Sequence, residues 1–134
     1  MRAILIDPYL ASVTEVETTA TLADLYRLIG CDTICRLGLA PGLAIYLDDN
    51  GLRDQPGALF TFLGYDQPLA GRGLVIGEDG PELCGTSVPL EAITGRVVWR
   101  PGIEATGLDT ITESDRGDGF HVIRVVPHFR PKDE

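Results

Sequence analysis

Apolar residues along the chain come in short runs punctuated by glycine, proline and acidic turns. Residues 2–7 (Arg-Ala-Ile-Leu-Ile-Asp) form one such run, closed by Pro8, and predict a core strand. Residues 12–18 alternate instead, with Val13 and Val16 set among Thr14, Glu15 and Glu17, as a half-exposed second strand would. The clearest helical spacing follows. Leu22, Leu25, Leu28 and Ile29 fall on one face of a helix over 21–29, with Thr21 placed to cap it, Asp24 in the first turn and Gly30 as its stop. So short a helix persists only if it docks on something apolar.

Residues 31–39 and 43–49 read as two strands separated by Ala40-Pro41-Gly42. The second runs into Asp48-Asp49-Asn50-Gly51. Asn-Gly is the strongest two-residue hairpin signal, so a reverse turn with positive φ at both residues is expected. A calcium loop would need acids at alternate positions, glycine sixth and glutamate twelfth, a spacing this stretch lacks. Within 54–70 a helical turn is expected over the glycine-flanked apolar stretch Ala58–Leu63, and Leu74-Val75-Ile76 reads as a buried strand. Gly71-x-Gly73 precedes a strand instead of linking strand to helix, so it is not a dinucleotide fingerprint. Beyond it the pattern predicts a short helix at 88–94 capped by Ser87 and a strand at 97–100. A long loop over 101–118 and a strand over 120–126, stopped by Pro127, follow.

Strands outnumber helices and several are joined by hairpin-length turns. The expected fold is therefore α+β: a mixed, mainly antiparallel sheet of five to seven strands with one principal helix, 21–29, packed on a face. A length of 134 residues suits a single domain. Residues 1–100 would form its core, and 101–134 a loop plus a C-terminal strand that completes the sheet beside Val97 and Trp99.

Charge narrows the function classes. Twenty acids against eleven bases give a net charge of -9, which disfavours binding to nucleic-acid phosphates or an anionic membrane. The acids are scattered, as on a solvated surface, without the long run expected of a nucleic-acid mimic. Lys132 is the one lysine, so neither a P-loop lysine nor an internal Schiff-base lysine is available. No apolar stretch approaches the roughly 20 residues of a membrane span, and no basic-then-apolar opening marks a secretory signal. Cys31, Cys35 and Cys84, odd in number, are expected as free thiols in a reducing cytoplasm. On one strand Cys31 and Cys35 would lie roughly 13 Å apart, too far to share a metal ion. No metal and no cofactor are expected.

Catalytic candidates are sparse. Ser12, Ser87 and Ser114 lie outside any G-x-S-x-G motif, and His121 and His128 are the two imidazoles. The carboxylate pairs Asp48 with Asp49, Glu78 with Asp79, and Asp115 with Asp118 sit at predicted turns, where they bond backbone N–H groups. Were Asp48 and Glu78 neighbours at one end of a sheet, hydrolytic or magnesium chemistry would come into view.

Leu25-Tyr26-x-Leu28-Ile29-Gly30-Cys31, the strand 43–47 running into Asp48-Asp49-Asn50-Gly51, and Leu69-Ala70-Gly71-Arg72-Gly73-Leu74-Val75-Ile76-Gly77 together resemble a known group. It is a family of small proteins of unknown function carried by bacteriophages, plasmids and bacterial genomic islands. The resemblance covers about residues 1–80. It implies a mobile-element origin and a cytoplasmic setting, and supplies no activity and no catalytic residues.

The function expected from these readings is that of a non-enzymatic accessory protein of a mobile element. Its partner would be a host or element protein, with no direct contact to nucleic acid or membrane. The alternative is a small-molecule or nucleotide binder in which Arg72 or Arg96 meets a phosphate beside glycine-rich backbone, with Asp48 and Glu78 as further ligand contacts. A hydrolase using the turn carboxylates ranks third.

Overall fold

The computed structural model describes residues 1–114 and 121–132. The first elements follow the apolar pattern: β1 (Arg2–Asp7) and β2 (Ser12–Glu17) form an antiparallel hairpin, with Arg2 opposite Glu17 and Asp7 opposite Ser12. Helix α1 (Leu22–Ile29) begins and ends as its sequence dictates. The Thr21 hydroxyl accepts from the Asp24 N–H, and Gly30 takes a left-handed conformation at φ 79° while its N–H bonds the Tyr26 carbonyl.

Strands β3 (Ile34–Ala40) and β4 (Leu43–Asp48) come next, then the single turn α2 (Gly51–Asp54). They are followed by β5 (Leu59–Phe62), β6 (Leu69–Ala70), β7 (Gly73–Asp79) and β8 (Glu82–Cys84). The chain continues through α3 (Leu90–Thr94), β9 (Val97–Trp99), β10 (Ile103–Ser114) and β11 (His121–Pro131).

The main sheet has the order β2-β1-β7-β4-β3, and β8 takes over from β1 as the partner of β7 from Gly77 onward. Strand β7 pairs along its edges with β1 and β4, while core side chains cover both of its faces, so Leu74, Val75 and Ile76 are fully buried. That is why the sequence there is a continuous apolar run and not an alternation. The alternation in β1 and β4 divides the core in two. Ile4, Ile6, Ile45, Leu47 and Val75 meet Phe60 and Phe62 of β5 and Ile93 of α3 on one face. Ala3, Leu74 and Ile76 meet Leu25 and Ile29 of α1 on the other. The second layer on the first face is a small sheet in the order β6-β5-β9, its Trp99 edge-on to Phe60 at 6.3 Å.

Among the described residues, three antiparallel sheets and a single helix longer than five residues make the fold mainly β, not α+β. The expectation fails because two stretches read as non-strand are strands. The run at Ala58–Leu63, expected as a helical turn, contains β5, which pairs with the neighbouring β6 and with β9 far along the chain. The stretch 101–118, expected as a loop, contains β10, which pairs with β11 from Ile103 opposite Pro131 to Ser114 opposite His121. This ribbon is a sheet of its own, so the C-terminal strand does not complete the main sheet. Strand β11 passes through Pro127, which is tolerated on an edge, and β9 pairs with β5 instead. The ribbon joins the body at its base: Ala105 N–H donates to the Pro56 carbonyl and Lys132 Nζ to the Gly57 carbonyl.

Three local expectations also change. Strand β3 starts at Ile34, leaving Cys31 in the preceding turn. Pro89, not Ser87, precedes α3, and no side chain caps it. Asn50-Gly51 is not a positive-φ hairpin: Asn50 has φ -104° and Gly51 opens α2. Strand β4 pairs with β3 and β7 rather than with the segment that follows it, so no two-residue reversal is needed there. Among the described residues no helix is long and apolar enough to cross a membrane.

Candidate functional site

Antiparallel pairing brings the C-terminal ends of β1 and β4 to the end of the sheet where β7 begins. Ile6 lies opposite Gly73 and Leu47 also lies opposite Gly73, so Asp7, Asp48 and Arg72 converge there. Both carboxylates are buried, Asp7 at 6% and Asp48 at 8% exposure, and each is satisfied. Asp7 accepts from the N–H groups of Tyr9 (2.9 Å) and Leu10 (3.4 Å), and from Arg72 Nε at 3.1 Å. Asp48 accepts from the Asn50 N–H and from Gln55 Nε2, each at 2.9 Å.

Two contacts tie these acids into one network. The Arg72 guanidinium lies 4.9 Å from the Tyr9 ring centre, and the Tyr9 hydroxyl donates to Gln55 Oε1. Glycines make room for it. Gly71 has φ 82°, and a Cβ there would lie 2.7 Å from Gln55 Nε2, while one at Gly30 would lie 3.2 Å from Arg72 Nη1.

Above this network opens a cleft of about 580 Å3 lined by Tyr26, Arg27, Gly30, Cys31, Asp32, Asp48, Asp54 and Gln55. Its walls are the last turn of α1, the turn before β3, the end of β4 and the turn α2. Three of the lining residues are acids. The one base, Arg27, is paired with Asp24 at 2.7 Å. Burial, and next the neighbouring Asp48 charge, push the Cys31 thiol up to about 11, so it stays protonated at neutral pH and is a poor nucleophile. Cys35 packs against the opposite core cluster from Cys31, and its thiol is likewise raised, chiefly by burial. All three cysteines are free. Among the described residues no group of three or more His, Cys, Asp or Glu side chains could hold a metal ion.

The residues singled out from sequence do not meet in one place. Asp48 and Arg72 share this end of the sheet. Glu78 lies at the other end of β7, roughly 20 Å away by strand rise. There Arg36 grips its carboxylate through Nε and Nη2 (2.6–3.0 Å), and the Tyr46 hydroxyl donates to it at 2.6 Å. Those bonds hold the Glu78 carboxyl down at about 2, and burial with that carboxylate pushes Tyr46 up to about 12. Asp48 and Glu78 therefore cannot form a catalytic pair. Arg96 lies apart from both, 4.5 Å from the Phe62 ring centre and donating to the Leu63 carbonyl at 2.6 Å. Asp115 and Asp118 lie outside the described residues.

Sequence reasoning missed Asp7, Tyr9, Asp32, Asp54 and Gln55. The one available signal was the polar residue ending an apolar strand at Asp7, matched by Asp48 at the end of β4.

A curated relative, the uncharacterized protein y4iR of Sinorhizobium fredii (strain NBRC 101917 / NGR234), is 38% identical over 82 residues, covering 60% of this chain and 51% of the relative. The chain thus spans about half the length of that relative. No solved structure matches. The model of a family described as a domain of unknown function, DUF3846, matches residues 1–96, which hold the main sheet, α1, the cleft and α3, and on that match the chain belongs to this family.

Proposed function

We propose that this protein is a non-enzymatic accessory protein of a mobile genetic element, working in the cytoplasm by binding another protein. The cleft at the sheet end is the proposed contact surface. The observation that carries the reading is its lining: Asp32, Asp48 and Asp54 line one opening, where Arg27 is held by Asp24 at 2.7 Å and Arg53 reaches Asp54 at 3.0 Å, so acids outnumber bases. On a chain of net charge -9, such a cleft attracts a basic segment and repels phosphates. The lining thiol is protonated and no imidazole lines the cleft, so the chemistry on offer is charge and hydrogen bonding rather than bond cleavage. The phosphate-binding alternative has less behind it, because Arg72 and Arg96 are apart and each already holds a protein oxygen.

The test is affinity purification from a bacterial host of the native chain beside an Asp32→Asn/Asp54→Asn double variant, with mass spectrometry of the retained proteins and small molecules. Asp32 and Asp54 are both exposed, so the variant keeps its fold. A protein retained by the native chain and lost from the variant is the expected result. Equal retention by both, or a bound small molecule with no protein, would overturn the reading.

A further inference from the structure

The β1–β2 turn ends in two exposed apolar side chains, Tyr9 at 53% and Leu10 at 75%. Single exposed apolar residues are ordinary on a protein surface. These two are held in place, which is less ordinary. Asp7 accepts from both of their backbone N–H groups, and Arg72 lies against the Tyr9 ring. The Tyr9 hydroxyl is fastened to Gln55. Ala11, next in the chain, sits at φ 49°, a left-handed conformation that favours glycine.

Position adds the second element. Gln55, the residue that anchors Tyr9, also lines the acidic cleft. Through Gln55 the Tyr9 end of the tip therefore borders the cleft that Asp32 and Asp54 line. Interfaces place their binding energy in rigid aromatic or aliphatic anchors bordered by polar groups, and rigidity matters because little ordering entropy remains to be lost on docking.

We infer that the Tyr9-Leu10 tip is the apolar anchor of a protein-docking surface whose polar half is the acidic cleft. The occupant it fits is a partner segment carrying an arginine or lysine a few positions from a leucine, isoleucine or aromatic residue. The basic side chain enters between Asp32 and Asp54, and the apolar one packs on Leu10. This rests on the cleft reading above and extends it by naming the partner's chemistry.

A phage-displayed library of random peptides about a dozen residues long, selected on the native protein, tests both. Enriched peptides are expected to pair a basic residue with a nearby large apolar one. Their affinity should fall about tenfold with Leu10→Ser and to a similar degree with Asp32→Asn/Asp54→Asn. It should be unchanged with Leu63→Ser, a leucine exposed at 59% that does not line the cleft. Unfolding midpoints of the variants check that the fold is kept.

Basic peptides that bind regardless of Leu10 would overturn the anchor and leave the cleft reading standing. Peptides that depend on Leu10 but not on the two aspartates would overturn the cleft reading and the basic half of this inference. Equal effects of Leu10→Ser and Leu63→Ser, or no enriched peptide, would overturn the docking surface.

Discussion

At Gly51 an added Cβ would lie 2.6 Å from the Ala70 carbonyl oxygen and 3.3 Å from its Cβ, so the backbone of β6 blocks it. Gly51→Ala is therefore expected to lower stability by about 2 kcal/mol or more, read as a shift in the urea midpoint at constant slope. A simple exchange of glycine for alanine in a solvated turn would cost half that or less. The dipeptide Asn-Gly signals special backbone needs, and that much was legible. Which need it met was not, because the Asn50 N–H bonds the Asp48 side chain and the glycine serves close approach to a strand some twenty residues on. Ala11 supplies the opposite case. At φ 49° it is strained, so Ala11→Gly should raise stability by up to about 1 kcal/mol, the relief exceeding the added freedom of the unfolded chain. A lowered midpoint would show that the left-handed conformation there carries no strain.

Among the elements, α1 was the most legible because its signals are local. The Thr21 hydroxyl caps the first turn, and the Asp24 carboxyl is held at about 2 by the Thr18 hydroxyl, the Thr19 N–H and Arg27. Thr21→Ala should cost about 1 kcal/mol in thermal or urea unfolding. Strand β7 was legible as an apolar run between glycines, but the use of its last residues was not. Glu78 there is bonded by Arg36 of β3 and Tyr46 of β4, so one carboxylate ties three adjacent strands together. Its folded value of about 2 lies below the usual 4.5. The stability it contributes is thus fully present above pH 4.5 and is lost as pH falls toward 2. Glu78→Gln should cost about 1–2 kcal/mol at neutral pH, discounted for the solvent around Arg36, and the gap from the native chain should close between pH 4.5 and 2. A gap independent of pH would mean that the pair contributes shape rather than charge. Strand β5 was read as helical because a short apolar run fits either element, and only β6 and β9 decide between them.

For the molecule as a whole, both core clusters, as the described residues form them, draw on no residue beyond Trp99. A chain ending at Gly102 is expected to keep a cooperative thermal transition by circular dichroism. One ending at Arg96, the limit of the family match, should not, because it loses β9 and the Trp99 ring against Phe60. A shortened chain ending at Gly102 that is molten would place the ribbon in the folding unit after all.

The sequence by itself determined where β1, β2, α1, β4 and β9 lie, and which of their faces are apolar. Capping, glycine conformations and the period of side chains act over a few residues. Thr21, Gly30 and the run Leu74-Val75-Ile76 therefore carry their meaning with them. Partnership was decided only in the tertiary structure: β7 between β1 and β4, β11 with β10, Cys31 and Cys35 packed into different clusters, Glu78 a sheet's length from Asp48. An alternating pattern states that a face is buried but not against what. The choice among partners depends on contacts between segments tens of residues apart, whose free energy appears only once the whole sheet is assembled. The cleft is of the same kind, since Asp7, Gln55 and Arg72 become neighbours only when two antiparallel strand pairings end at the same level.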